Sequence, residues 1–241
     1  MQAGLYVAIS SQMALERRMN TLADNVANAN TTGFRATEIK FHEVVSDTRE
    51  AKVAFVSEGK EYLNTNNGGL KQTGNDLDFA IRGEAWFAIE TPTGQVLTRD
   101  GRFSLTEAGD LVTVRGYPVL DGGGAPIQVD GNAGPLKLSS DGVLFQNGNA
   151  VAQLGIFDAD LSQGFVRHDN SGIIPKKAPQ PVVDRFDAGV VQGYTEESNV
   201  NPIQEMTQLI TVTRAFESVN SLTRDTDTSF GEAMKTLGGS R

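Results

Sequence analysis

The chain contains no cysteine. That excludes disulfide staples, thiol nucleophiles and thiolate metal sites, and it fits any redox compartment. Histidine is scarce as well: the two present, His42 and His168, stand far apart and outside any HExxH-type ligand pair. Neither a metal site nor His-based catalysis is expected, and both histidines are read as surface residues. Basic charge is short, with 21 Lys+Arg against 30 Asp+Glu, a net charge of -9 and a pI near 4.8. Nucleic acid, which demands a basic face, is excluded as a partner, and anionic membranes are disfavoured. No apolar run approaches the length of a membrane span, so no direct membrane insertion is expected. The opening MQAGLYVAISSQMALERR lacks a basic stretch followed by a long apolar core, so export by a Sec signal is not expected. No G-x-S-x-G elbow, phosphate-binding P-loop or dinucleotide fingerprint occurs, so no catalytic residue and no cofactor is assigned.

What the chain does have is pattern, in three regions. Leu5, Ala8, Gln12, Leu15, Met19, Leu22, Val26 and Ala29 fall at alternating spacings of three and four, and only Gln12 among them is polar. This predicts a long first helix with a coiled-coil-type seam, widened by Ile9, Met13 and Ala23 and stopped by Gly33. The last region mirrors it. Asn201 is a cap, Pro202 suits the first helical position and Gln204 fits a capping box. Leu209, Val212, Phe216, Val219, Thr223, Thr226, Phe230, Ala233 and Leu237 then recur at helical spacing until Gly238-Gly239.

Between the helices the period changes from helical to alternating. Leu77, Phe79 and Ile81 alternate, Gly83-Glu84 turns, and Trp86, Phe87 and Ile89 resume. Glycine is plentiful, 26 in all, and much of it sits in turn pairs such as Asp100-Gly101, Arg115-Gly116, Asp141-Gly142 and Asn147-Gly148. Many short strands joined by such turns predict an all-β domain. GDLVTVRGYPV (Gly109 to Val119) and DGVLFQNGNAV (Asp141 to Val151) echo each other as one hairpin device used twice. The expected architecture is mixed and mainly β: terminal helices over 1–35 and 198–241, an extended connector over 36–75, and an all-β outer domain over 76–197.

Two long helices carrying apolar stripes need cover that a single seam contact supplies only in part. We expect them to be loosely ordered alone and to pair in a coiled-coil-like way on assembly. The stretch NVANANTTGF (Asn25 to Phe34) ends the first helix in uncharged amides instead of lysines and glutamates. An amide has two donors and an acceptor without a charge, so Asn25, Asn28 and Asn30 are suited to burial against a neighbouring chain. The competing reading of these amides is a solvated helix end.

The segment NVANANTTGFR resembles the N-terminal signature of bacterial flagellar rod and hook proteins. TGNDLDFAIRGEAWFAIE with LTRDGRFSLTEAGDLVTVRGYPVL (Thr73 to Leu120) is similar to the opening of that family's β-domain, and SNVNPIQEMTQLITVTRAFES (Ser198 to Ser218) to its C-terminal helix. Ala85-Trp86-Phe87 stands where Gly-Phe-Phe is usual, Leu97 replaces a tyrosine before Thr98-Arg99, and Phe216 replaces one after Arg214-Ala215. Each departure keeps apolar bulk. The resemblance implies a non-enzymatic structural subunit of the flagellum's basal body, serving motility, with a proximal-rod role indicated and a distal-rod role as the alternative.

It further implies type III export, a rod crossing the periplasm, and copies of itself and other rod proteins as partners. The implied assembly interface comprises Leu5, Leu15, Met19, Leu22, Asn25, Val26, Asn28, Asn30, Gly33, Phe34, Asn201, Pro202, Leu209, Val212, Phe216, Val219 and Phe230. Phe41 and Val45, in FHEVV, match an aromatic-x-x-x-apolar element associated with export recognition. A reading from another class is a secreted carbohydrate-binding or carbohydrate-cleaving β-domain with oligomerisation helices. Asp76 with Asp78, or Asp78 with Glu84, would be its carboxylate pair. Trp86 is assigned to core packing. Arg99 and Arg102 are expected to pair with Asp100 or Asp110.

Overall fold

A computed structural model describes residues 2–47, 52–131, 133–139, 141–182 and 188–239 of the chain. Two helices bracket a succession of short strands. Helix α1 runs Gln2–Ala27 and helix α2 Pro202–Gly238. The chain divides into two compact units: residues 1–27, 37–62 and 201–241 form one, and residues 28–36 and 63–200 the other.

In the helical unit, α1 and α2 of a single chain lie against each other. Val212 is buried in that contact's stripe on α2, with Leu209, Phe216 and Val219 half-buried; Leu22 is buried on α1. Helix α1 has a second, adjoining stripe. Ala14 and Asn25 are buried there, with Val7, Ser11 and Thr21 half-buried, and α1 also meets strands Thr37–Lys40 and Lys52–Val56. These strands come from the segment expected to be an extended connector. Among the described residues, 36–75 carry five short strands. Glu43–Asp47 pairs with Lys52–Val56 as an antiparallel hairpin, and Thr37–Lys40 with Lys60–Leu63. The sequence offered no clear alternation here, because these strands are short and largely exposed: Lys60, Glu61 and Tyr62 are exposed on one strand, and adjacent Val44 and Val45 on another.

Helix α2 begins as its residues dictate. The Asn201 side chain accepts from the amides of Ile203 and Gln204 at 3.2 and 3.3 Å, and Pro202 occupies the first turn, where no donor is needed. Its other end closes through the Gly239 amide on the Lys235 carbonyl at 2.9 Å.

The β unit is built on strand Trp86–Thr91. Its hairpin with Gly94–Thr98 lies centrally in a six-stranded sheet of spatial order Phe165–His168, Gly172–Pro175, Gly94–Thr98, Trp86–Thr91, Ile156–Asp158, Gln180–Pro181. Side chains on a strand alternate between faces. Phe87, Ile89 and Val96 enter one apolar cluster, with Phe79, Leu111 and Leu144; Trp86, Ala88 and Leu97 enter a second, with Phe157 and Ile173. Burial on both faces explains why WFAI is a continuous apolar run. The two echoing segments are both hairpins: Val112 bridges Pro118 across a turn at Gly116, and Val143–Gln146 pairs with Asn149–Gln153 across Asn147-Gly148.

Candidate functional site

Asn25 answers the question its surroundings raise. It is 2% exposed. Its amide donates to the Thr37 carbonyl at 2.9 Å and to Glu205 Oε2 at 3.1 Å, while its oxygen accepts from the Thr37 amide at 3.0 Å. The side chain therefore replaces a missing backbone neighbour for the first residue of a strand and ties the end of α1 to the first turn of α2. A lysine or glutamate supplies donors or acceptors only and cannot do both. The expectation that Asn25 faces a neighbouring chain is corrected here: its hydrogen bonds are made within its own unit. Asn28 is half-buried and organises a turn, accepting from the Thr31 amide and hydroxyl at 3.0 and 3.1 Å. Asn30 is exposed.

Gly33 is not the stop of α1, which ends six residues earlier by position, at Ala27. It sits at φ +70 in the β unit, where a Cβ would fall on the Asp100 amide nitrogen and the Arg99 carbonyl. Its amide donates to the Glu196 carbonyl at 2.8 Å. Only glycine fits both the dihedral and the contact. Phe34 follows, buried with Ala36 and Val200, its ring covered by the Arg167 guanidinium 4.4 Å from the ring centre.

Arg35 then enters a buried charge network that sequence reasoning did not find. Arg35 and Arg99 are each 2% exposed and share Glu196, 1% exposed, at 2.7 and 3.2 Å. Asn67 Oδ1 accepts from both guanidiniums at 2.8 and 3.1 Å, and Arg99 also donates to the carbonyls of Ile81 and Gly83 at 3.2 and 2.5 Å. Burial pulls Arg99 down to about 10, with Glu196 opposing. Arg99 was expected to pair with Asp100 or Asp110; the strand directions instead point it inward, across the Trp86 ring at 5.5 Å. Arg102 does pair with Asp100, through Nε at 2.8 Å and Nη2 at 2.6 Å. Nothing in the local sequence around Glu196 distinguishes it from the exposed Glu197 beside it.

Asp78, the carboxylate considered for catalysis, is buried, accepts from Asn75 at 3.2 Å and pairs through its backbone with Arg102 in an isolated antiparallel β-bridge. His168, expected on the surface, has a side chain only 18% exposed, packed 6.2 Å from the Tyr117 ring. Among the described residues no cluster of His, Cys, Asp and Glu is arranged to hold a metal, and no helix is long and apolar enough to cross a membrane.

The remaining anticipated interface residues divide by burial. Leu5, Leu15, Met19 and Val26 are half-buried, while Asn201 and Pro202 are exposed. The side chain of Phe230 lies outside the described residues. Phe41 is half-buried and Val45 is 54% exposed on its hairpin. What the seam reading missed is a free apolar stripe beside it on each helix. On α1 Tyr6, Ile9 and Met13 are 60, 40 and 57% exposed; on α2 Ile203, Met206 and Ile210 are 77, 50 and 54% exposed. Both stripes repeat at three-then-four spacing, and both were visible in the sequence as apolar residues adjoining the seam.

Three family models match in chain order: flagella basal body rod protein over residues 5–35, the flagellar hook protein FlgE/F/G D1 domain over 80–146, and the flagellar basal body rod FlgEFG protein C-terminal over 191–235. The flagellar basal-body rod protein FlgF of Rhizobium meliloti (strain 1021) is 62% identical over 241 residues, covering 100% of both chains. The chain belongs to the flagellar basal-body rod protein family. FlgF of Mesorhizobium japonicum is 58% identical over 99% of each chain. The rod protein FlgG of Agrobacterium fabrum is 32% identical over 88% of this chain and 91% of its own. Within this rod family the chain is therefore most like FlgF. The first matched segment ends on Arg35 of the buried network, and the third covers Glu196 and most of α2.

Proposed function

We propose that the protein is a non-enzymatic structural subunit of the proximal rod of the flagellar basal body. It assembles with copies of itself and with other rod proteins through its terminal helices. The observation that carries this reading is the pair of uncovered apolar stripes, Tyr6-Ile9-Met13 on α1 and Ile203-Met206-Ile210 on α2, left over after the helices have packed on each other. Large apolar side chains in register on a soluble helix mark a face that another protein covers. Two different complementary patches on one subunit generate an open helical stack unless the rotation between copies closes a ring. Full-length identity to the Rhizobium and Mesorhizobium FlgF proteins, nearly twice that to the FlgG relative, favours the proximal over the distal position.

Delivery would follow the flagellar type III route, with Phe41 and Val45 as the recognition element. The rod would cross the periplasm, and the β unit would form its outer part.

The test uses the exposed stripes, because buried seam positions would confuse folding with assembly. Met13→Asp and Ile210→Asp should leave unfolding free energy within about 0.5 kcal/mol of the parent yet abolish incorporation into basal bodies and motility. Normal incorporation of both variants would overturn the reading.

A further inference from the structure

Asn67 and Gly68 sit in a stretch, residues 64–69, that carries no helix or strand, and their surroundings are unusual for an asparagine-glycine pair. Asn67 Oδ1 receives hydrogen bonds from two buried guanidiniums, Arg35 Nη2 at 2.8 Å and Arg99 Nη2 at 3.1 Å. Those donors fix the amide's orientation: the oxygen faces the cations and Nδ2 faces away. The Gly68 amide, the next atom along the backbone, donates to Glu196 Oε1 at 2.9 Å. The nucleophile and the carbonyl it can reach are thus both engaged, one by a carboxylate and the other by two fixed positive charges. Glu196 is the carboxylate in direct contact with both guanidiniums, with Glu84 acting on them at longer range, and Arg35 Nε, Arg35 Nη1 and Arg99 Nε are buried without a hydrogen-bond partner.

We propose that Asn67-Gly68 is a self-modification site, at which the folded chain promotes closure of a succinimide and conversion of Asn67 to aspartate or isoaspartate. The Gly68 nitrogen attacks Asn67 Cγ and forms the new N–C bond while Glu196 takes up its proton. Negative charge developing on Oδ1 is held by Arg35 and Arg99, as donors aimed at a forming oxyanion hold a tetrahedral intermediate. The Cγ–Nδ2 bond breaks, the nitrogen collects the proton from Glu196, and ammonia leaves. Water then opens the imide at either carbonyl. One ammonia departs, one water is added, and nothing is oxidised or reduced. Glycine at 68 has no Cβ to obstruct ring closure, and residue 67 is solvent-exposed on its outer side, where water enters. The product places a carboxylate where an amide stood, within hydrogen-bond reach of two guanidiniums that had shared Glu196 as their one directly bonded carboxylate.

The sequence holds its own control, because Asn147-Gly148 is an asparagine-glycine pair in an exposed hairpin turn, with the network's arginines and glutamate elsewhere. Purified full-length protein is incubated near neutral pH, folded and in denaturant. Peptide mass spectrometry then follows the imide, by its loss of ammonia, and the isoaspartate product at both sites. Asn67 should react at least several-fold faster in the folded chain than in denaturant, and faster than Asn147 in the same folded sample. Glu196→Gln, confirmed as folded by Trp86 fluorescence, should slow Asn67 alone. A folded-state rate at Asn67 equal to or below the denatured rate would overturn the proposal, the amide then serving only to satisfy the arginines. The wild-type comparison decides the matter even if the variant does not fold.

Discussion

Asn25 and Glu196 illustrate two ways in which a single buried polar side chain holds its surroundings. Asn25 satisfies both backbone groups of Thr37 and reaches Glu205. Asn25→Ala removes the hydrogen bonds to both backbone groups of buried Thr37 and to half-buried Glu205, so a loss of about 2–4 kcal/mol is expected, measured by urea unfolding of the helical circular-dichroism signal. Asn25→Asp should be no better, since it sets a carboxylate against the Thr37 carbonyl and Glu205.

Glu196→Ala strands two guanidiniums in a buried site and should cost about 3–5 kcal/mol. The only tryptophan, Trp86, lies under Arg99, so its fluorescence reports that unit directly. Replacing all three charges together, as Arg35→Met, Arg99→Met and Glu196→Leu, should recover most of the loss, because well-packed apolar groups need no pairing. Burial holds Arg99 at about 10 in the folded chain, below its ordinary value. The unfolded chain therefore binds more protons only from about there upward, and the group makes stability rise with pH only in that alkaline range. Arg99→Met should leave the pH dependence unaltered between about pH 6 and 9.

Helices α1 and α2 were legible from spacing because an amphipathic helix writes its period into the chain. The N-cap at Asn201 was equally legible, since its chemistry is local; Asn201→Ala should cost about 1 kcal/mol of helical-unit stability, read from the same circular-dichroism melt. The strands at 37–63 were not legible. Of these, Thr37–Lys40 and Lys52–Val56 meet α1, and the strands are so short and so largely exposed that too few positions are buried to write an alternation into the chain. Gly33 looked like a helix terminator because a left-handed glycine after an apolar stripe is the usual stop. The physical constraint on it is the backbone of Arg99 and Asp100, which no local pattern reveals.

The molecule as a whole combines a helical unit whose two ends are far apart in sequence with a β unit that has its own apolar clusters. Removing residues 1–30 or 205–241 removes one partner of the helix pair. Either truncation should abolish rod incorporation in a motility assay. Limited proteolysis should find the apolar clusters around Phe87 and Trp86 to be the most resistant part of the chain.

Composition, period and turn chemistry pointed to a mainly β chain with two long terminal helices and, lacking cysteine, no thiol chemistry, and the motifs at residues 25–35, 73–120 and 198–218 carried the family resemblance. All of these depend on residues close together in sequence, so they survive without coordinates. Tertiary structure alone decided that Asn25 is spent inside its own chain, that Arg35, Arg99 and Glu196 meet, and which apolar residues remain uncovered. Those outcomes join positions as far apart as Asn25 and Glu205 or Arg35 and Glu196, and burial or exposure there depends on which surfaces the folded chain leaves free.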